Sequence, residues 1–193
     1  MRRPPTDRPP PDEGALHAAA LNYLARFAAT ESGLTRVLRG KVDRWARATG
    51  GQKEIVADQA VEARAAIAGI VARLSQSGAV SDAAFAQSRA RSLARAGRSR
   101  RAIGAHLATK GVAGTLATAA LPTDEDAELA AALIHARKRR IGPWRKVGST
   151  PETLRRELGS MARAGFAHGV SRGALATPQD EAEIRIQAFR EAL

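Results

Sequence analysis

Apolar residues recur every three or four positions along most of this chain, and this spacing is what most restricts its fold. In residues 66–74 the apolar side chains fall on one face of an α-helix, at Ile67, Ile70, Val71 and Leu74. Residues 128–137 repeat the pattern, at Leu129, Ala132, Leu133 and Ala136. Strong helix formers dominate, and the period-two alternation typical of strands is absent. The sequence therefore predicts an all-α fold.

Helix boundaries are marked locally as well. Thr150 is a suitable N-cap for a helix whose first residue is Pro151, because proline is tolerated where the backbone N–H has no helical partner. The buried stripe of this predicted helix consists of Leu154, Leu158 and Met161.

An internal repeat emerges when the chain is aligned with itself at 54 residues, the separation of Gly111 and Gly165. Residues 110–121 then match residues 164–175 without gaps. Each copy predicts a helix that ends at a glycine, an apolar residue that folds back on the last turn, and another helix. A more divergent copy occupies residues 23–74, with an insertion within residues 43–64. Stacked helical units predict an elongated molecule.

The charge of the chain narrows the class of partner. Its 31 Lys and Arg residues against 19 Asp and Glu residues leave a formal charge of +12. Such an excess favours a polyanionic partner: nucleic acid, an anionic membrane surface or an acidic protein assembly. The chain has no cysteine, which fits a reducing compartment, and no apolar run long enough to span a membrane. We therefore expect a cytoplasmic protein.

No enzyme signature is present in the sequence. The segment "GRSRRAIG", residues 97–104, lacks the Gly-Lys-Ser/Thr ending of a phosphate-binding loop. The histidines His17, His106, His135 and His168 are scattered, without the spacing of metal ligands. We therefore predict no catalytic residue, no cofactor and no metal, and expect any effect on a reaction to be exerted on a partner.

One basic segment breaks a local rule. Gly97 is predicted to end a helix and Ser99 to cap the next, which leaves arginines at the positive end of a helix dipole. A cation there is unfavourable by roughly 0.3–1 kcal/mol, so helix propensity does not explain the choice. We predict that this segment contacts the partner through Arg98, Arg100 and Arg101, extended by Arg95 and Lys110.

A second basic run, residues 136–146, has two open interpretations. Its cations could meet phosphates or acidic side chains, and Trp144 could stack on a base. Alternatively, the cations favour a helix C-terminus, Gly142 and Pro143 form an ordinary helix stop, and Trp144 covers an interface between helical units. The candidate contact residues of this run are Arg137, Lys138, Arg139 and Arg140.

Several stretches together resemble the RecX family of bacterial RecA regulators. They are "ALNYLARFAATESGLTRVL", "GAVSDAAFAQSRARSLARAGRSRRAIGAHLATKGV", "ARKRRIGPWR" and "LGSMARAGF", and they cover most of residues 16–175. The second is the most specific, because it joins an Asp-Ala-x-Phe-Ala helix start to a basic turn and a Lys-Gly-Val helix end. Family members often carry a second acidic residue where this chain has Ser81.

The resemblance implies a fold and a function. The fold is three tandem three-helix repeats in a curved, elongated molecule. The function is binding along the groove of the RecA–single-stranded DNA filament, with inhibition of filament growth, ATP hydrolysis, strand exchange and co-protease activity. The implied partner is the RecA filament, with single-stranded DNA as a further candidate, and we expect a monomer that binds no membrane. The alternatives are a stand-alone nucleic-acid-binding protein and, less favoured, a peripheral membrane protein.

Three regions are expected along the chain. Residues 1–13 are rich in proline and charge and are predicted to form a dispensable, disordered arm. Residues 14–175 form the helical repeat domain, and residues 176–193 form a helical tail.

Overall fold

The computed structural model describes residues 8–146 and 148–192, and every regular element in those residues is helical. The predicted all-α class is confirmed. None of the described helices is both long enough and apolar enough to cross a bilayer. The chain divides into two compact units, the first ending at Phe85 and the second beginning at Ala86.

The first unit is built on three helices: α1 (Glu13–Leu24), α2 (Glu31–Ala48) and α3 (Lys53–Gln76). The four apolar residues of the 66–74 pattern are all buried in its core, where they pack with Leu16, Leu34, Leu38 and Val42. The predicted insertion forms the end of α2, a short connection and the first half of α3. The extra residues therefore lengthen two helices.

The second unit is organised around α7 (Glu125–Arg139), a helix that is buried along most of its length. Its elements are α4 (Asp82–Arg95) from Ala86 onward, α5 (Arg100–Thr109), α6 (Gly114–Ala120), α7, a 3₁₀-helix (Gly142–Trp144), α8 (Pro151–Arg163), α9 (His168–Ala176) and α10 (Gln179–Ala192). Helix α7 packs against α9 and α10. Met161 of α8 and Ile186 of α10 are almost completely buried.

The 54-residue repeat is present in three dimensions. Both helices end in a left-handed glycine, Gly111 at φ +81° and Gly165 at φ +92°. The next residue donates its N–H to the carbonyl five positions back at 3.2 Å in both copies, Val112 to Leu107 and Phe166 to Met161. A local turn signal of this kind depends on few residues, which is why the sequence could predict it.

Part of the predicted N-terminal arm makes contacts in the structure. Residues 1–7 lie outside the described residues, but Asp12 caps α1 by accepting the Ala15 N–H at 2.7 Å. The indole Nε1 of Trp45 donates to the carbonyl of Arg8 at 2.8 Å. Arg8 and Asp12, which both fall in the predicted arm, therefore make defined contacts with α2 and α1.

Candidate polyanion-binding surface

The turn between α4 and α5 has the geometry that the sequence predicts. Gly97 takes a left-handed conformation at φ +76°. Ser99 is fully buried and N-caps α5 by accepting the Ala102 N–H at 3.2 Å. Its hydroxyl also donates to the carbonyl of Ala164 at 2.7 Å. The cap thereby fixes this turn against the end of α8.

Arg100 has a partner within the chain that the sequence did not reveal. Its backbone N–H donates to both carboxylate oxygens of Glu128 on α7, at 3.2 and 3.0 Å. Its guanidinium Nη2 donates to the carbonyl of Asp124, and its Nε lies 3.8 Å from Glu128. Burial raises the pKa of Glu128, and the Arg100 N–H opposes that shift. The cation therefore stands at a helix N-terminus that already holds a carboxylate.

Arg98 and Arg101 differ from Arg100. Both are exposed, and neither forms an ion pair or a side-chain hydrogen bond within the described residues. The Arg101 side chain lies beside the turn at Gly165, where an added Cβ would be 3.4 Å from its Nε. These two guanidinium groups remain available to a partner.

Residues of the two basic runs converge around His135. The Lys138 ammonium of α7 donates to the carbonyl of Ala96 at 2.8 Å, next to the turn that carries Arg98. Burial lowers the pKa of His135, and the positive charges of Arg139, Arg98 and Lys138 lower it further. Cations about 40 residues apart in sequence therefore act on one imidazole.

A cavity of about 470 Å³ between α7 and α8 extends this region. Its lining includes four cations and two hydroxyls: Lys138, Arg139, Arg156, Arg163, Thr153 and Ser160. The one carboxylate in the lining, Glu157, is held by Arg145 at 2.6 and 3.2 Å. The uncompensated charge facing the cavity is therefore positive, which suits a phosphate or a carboxylate.

Arg156 and Arg163 were not among the contact residues predicted from the sequence. A signal was present, because Thr153, Arg156, Ser160 and Arg163 follow the i, i+3, i+7, i+10 spacing of one helix face. Nothing local indicated that this polar face lies opposite the end of α7. We define the basic surface as Arg98, Arg101, Lys138, Arg139, Arg140, Arg156 and Arg163.

Arg140 is the one described residue other than glycine with a positive φ, at 55°. The Ile141 N–H donates to the carbonyl of Ala136 at 3.0 Å, which is the contact made after the glycines of the repeat. The left-handed residue that ends α7 is therefore Arg140, two residues before the predicted stop at Gly142. Arg140 is exposed, and its conformation is one in which glycine has a lower backbone energy than arginine.

Glu183 of α10 binds both Arg137 and Trp144. It accepts from Arg137 Nη1 at 2.7 Å and from Trp144 Nε1 at 3.0 Å. Of the two interpretations of this run, the packing role is therefore favoured for Arg137 and Trp144.

Arg95 and Lys110 occupy helix ends at the margin of the second unit's basic turn. Arg95 is exposed in the last turn of α4, and Lys110 is exposed at the C-cap of α5. Burial lowers the pKa of His106, with further lowering by Arg89, Lys110 and Arg98. The charges of Lys110 and Arg98 therefore both act on His106.

Comparison with known proteins decides the family. The model for the second three-helix domain of RecX matches residues 81–121, which contain α4, α5 and α6. The regulatory protein RecX of Myxococcus xanthus (strain DK1622) is 42% identical over 160 residues, covering 81% of this chain and 82% of that protein. The chain belongs to the RecX family.

Two further RecX proteins support this assignment. The regulatory protein RecX of Agrobacterium fabrum is 40% identical over 105 residues, which are 54% of this chain and 56% of that protein. The crystal structure of RecX from Lactobacillus salivarius superposes with a TM-score of 0.64 at 18% identity, covering 89% of this chain and 97% of that one. That likeness confirms the RecX fold.

Proposed function

We propose that this RecX protein binds the RecA–single-stranded DNA filament and inhibits its growth, ATP hydrolysis, strand exchange and co-protease activity. The relatives are named regulatory proteins, which supports a regulatory role. The observation that carries the proposal is the basic surface, where Lys138 next to the Arg98 turn and Arg139 both line a cavity with further cations.

The proposed mode of action is binding rather than chemistry. The described side chains of the basic surface are guanidinium and ammonium groups with hydroxyls beside them, and such groups bind anions. A filament of protein and DNA offers phosphates and carboxylates in a regular array. The protein therefore acts on ATP hydrolysis through RecA, as a monomer in the cytoplasm.

The roles within the basic surface differ in this proposal. Arg98, Arg101 and Arg156 contact the filament directly, since their guanidinium groups have no ion-pair partner in the described residues. Arg100 and Arg137 support the surface from within the fold, because Glu128 and Glu183 hold them.

The test is RecA ATP hydrolysis on single-stranded DNA with this protein at a sub-stoichiometric ratio. We expect the parent to inhibit, and R98A/R101A/R156A to need at least about tenfold more protein for half-inhibition, since each lost charge-assisted contact contributes about 1 kcal/mol or more. The matched control is R26A/R36A/R39A, which removes three exposed arginines from the first unit and should inhibit almost like the parent. Equal inhibition by the parent and the triple variant would contradict the proposed contacts.

A second candidate function is direct nucleic-acid binding, favoured by the net charge of +12. In that case bare single-stranded DNA would bind as tightly as the RecA filament. The logarithm of its affinity would fall with the logarithm of salt concentration at about 0.7 per phosphate contact. A fluorescence titration against bare DNA and filament at two salt concentrations separates the two functions.

A further inference from the structure

In the first unit a cavity lies between α2 and the chain's own proline-rich segment, which forms one of its walls. The cavity measures about 760 Å³ and is lined by Lys41, Arg44, Trp45 and Ala48, with residues 8–12 on the other side. The structural role of this segment is unexpected for a sequence of its composition.

The backbone conformation of the segment follows from its residues. Each proline fixes its own φ near −65°, and Arg8, Pro9 and Pro10 each precede a proline, which disfavours helical backbone there. This sequence favours a left-handed polyproline conformation, which makes no internal hydrogen bonds and leaves its carbonyls free to accept.

Trp45 offers the segment an aromatic ring and a hydrogen-bond donor. Its side chain packs against the core of the first unit, while its Nε1 donates to the Arg8 carbonyl at 2.8 Å. A phenylalanine would serve the core equally but has no donor. An aromatic surface with a donor aimed at a free carbonyl is the chemistry by which proline-rich segments are recognised.

Charged groups line both sides of the cavity. Lys41 and Arg44 lie on α2, and Arg8 and Asp12 lie at the two ends of the proline segment. The carboxylate of Asp12 also caps α1, so the segment's end is anchored where it leaves the groove.

We propose that α2 carries a recognition groove for left-handed polyproline segments, centred on Trp45, and that Arg8–Pro11 is its intramolecular ligand. Because the ligand is tethered at Asp12, its effective concentration is on the order of millimolar, so it keeps a separate proline-rich peptide out. The groove becomes open to a proline-rich segment in trans when the tethered ligand is released.

The test uses the full chain with W144F, which leaves Trp45 as the single tryptophan emitter. In P9G/P10G/P11G we expect Trp45 emission to move to longer wavelength and acrylamide quenching to rise about twofold, since glycine loses the preset φ. A peptide of residues 6–13 should reverse both changes saturably, whereas the unreleased protein should need at least about tenfold more peptide. A peptide with glycines replacing the prolines is the control.

A second variant separates recognition from packing. W45F in the P9G/P10G/P11G chain keeps an aromatic ring and removes the donor, so we expect at least about tenfold weaker binding of a labelled 6–13 peptide at an unchanged melting temperature. Trp45 emission that ignores the glycine substitutions, or a peptide that fails to bind the released chain, would overturn the proposal. No readout here involves RecA, so the proposed function stands or falls independently.

Discussion

Both carboxylate oxygens of Glu128 accept the backbone N–H of Arg100, at 3.2 and 3.0 Å. This contact places a negative charge at the N-terminus of α5, where the helix dipole is positive. It explains why a cation is tolerated there. Arg100 is therefore held within the fold, whereas Arg98 and Arg101 remain exposed.

Arg100 and Arg101 should therefore respond oppositely to substitution. Arg100→Ala removes the guanidinium contacts with Asp124 and Glu128, and we expect a loss of about 1 kcal/mol in the free energy of unfolding. Arg101→Ala removes a cation from the first turn of α5, so stability should hold or rise by a few tenths of a kcal/mol. Urea unfolding of both variants measures this, and equal losses would show that Glu128 does not distinguish them.

The glycine turns of the repeat make a graded prediction. Gly111→Ala and Gly165→Ala should each lose about 1–2 kcal/mol because both positions are left-handed. Gly165→Ala should lose more, since its Cβ would lie 2.6 Å from the Ser99 hydroxyl. Thermal melts test this order, with Gly104→Ala as the control. Gly104 lies inside α5 with nothing within 4 Å, so alanine should stabilise the helix by about 0.5–1 kcal/mol.

Replacing Arg140 with glycine should raise the stability of the fold and weaken binding to the filament. Its left-handed backbone favours glycine, so Arg140→Gly should raise the free energy of unfolding by about 1 kcal/mol. If the exposed guanidinium contacts the filament, the same variant should inhibit RecA ATP hydrolysis less well than the parent. A melting curve and an ATPase titration of one preparation check both halves. A variant that is more stable and inhibits fully would leave Arg140 outside the binding surface.

His135 should make the protein less stable in mild acid. Its pKa is lowered in the fold, first by burial and then by Arg139, Arg98 and Lys138, so the unfolded chain binds the proton more readily. Stability is therefore fully present above about pH 6.5 and falls as the pH drops below that value.

The matched variant is His135→Phe, which keeps a ring against Phe166. Between about pH 7.5 and about pH 5.5, its unfolding free energy should fall less than that of the parent. Glu128 works in the opposite direction, because its raised pKa lets the folded state take up a proton first as the pH falls. Identical pH slopes for parent and variant would exclude His135 as the cause.

Some of this fold is determined by residues close together in sequence. The spacing of Ile67, Ile70, Val71 and Leu74 predicts which face of α3 is buried, because one helix repeats its faces every 3.6 residues. The turns at Gly111 and Gly165 are also local, since a helix end needs only a glycine and one apolar residue after it. The sequence also predicted the RecX family, because the stretches that resemble the family are each short and continuous.

The candidate sites were decided by contacts between residues far apart in the chain. Arg98 and Arg100 look alike in sequence, and only the placement of α7 beside α5 gives Glu128 to one of them. Arg156 and Arg163 belong to the basic surface because α8 lies opposite the end of α7. The proline-rich segment accepts a hydrogen bond from Trp45, which lies 37 residues away in sequence. Helical periodicity specifies which face of each helix is apolar but not which helix it meets, and charge acts through distances that only tertiary packing sets.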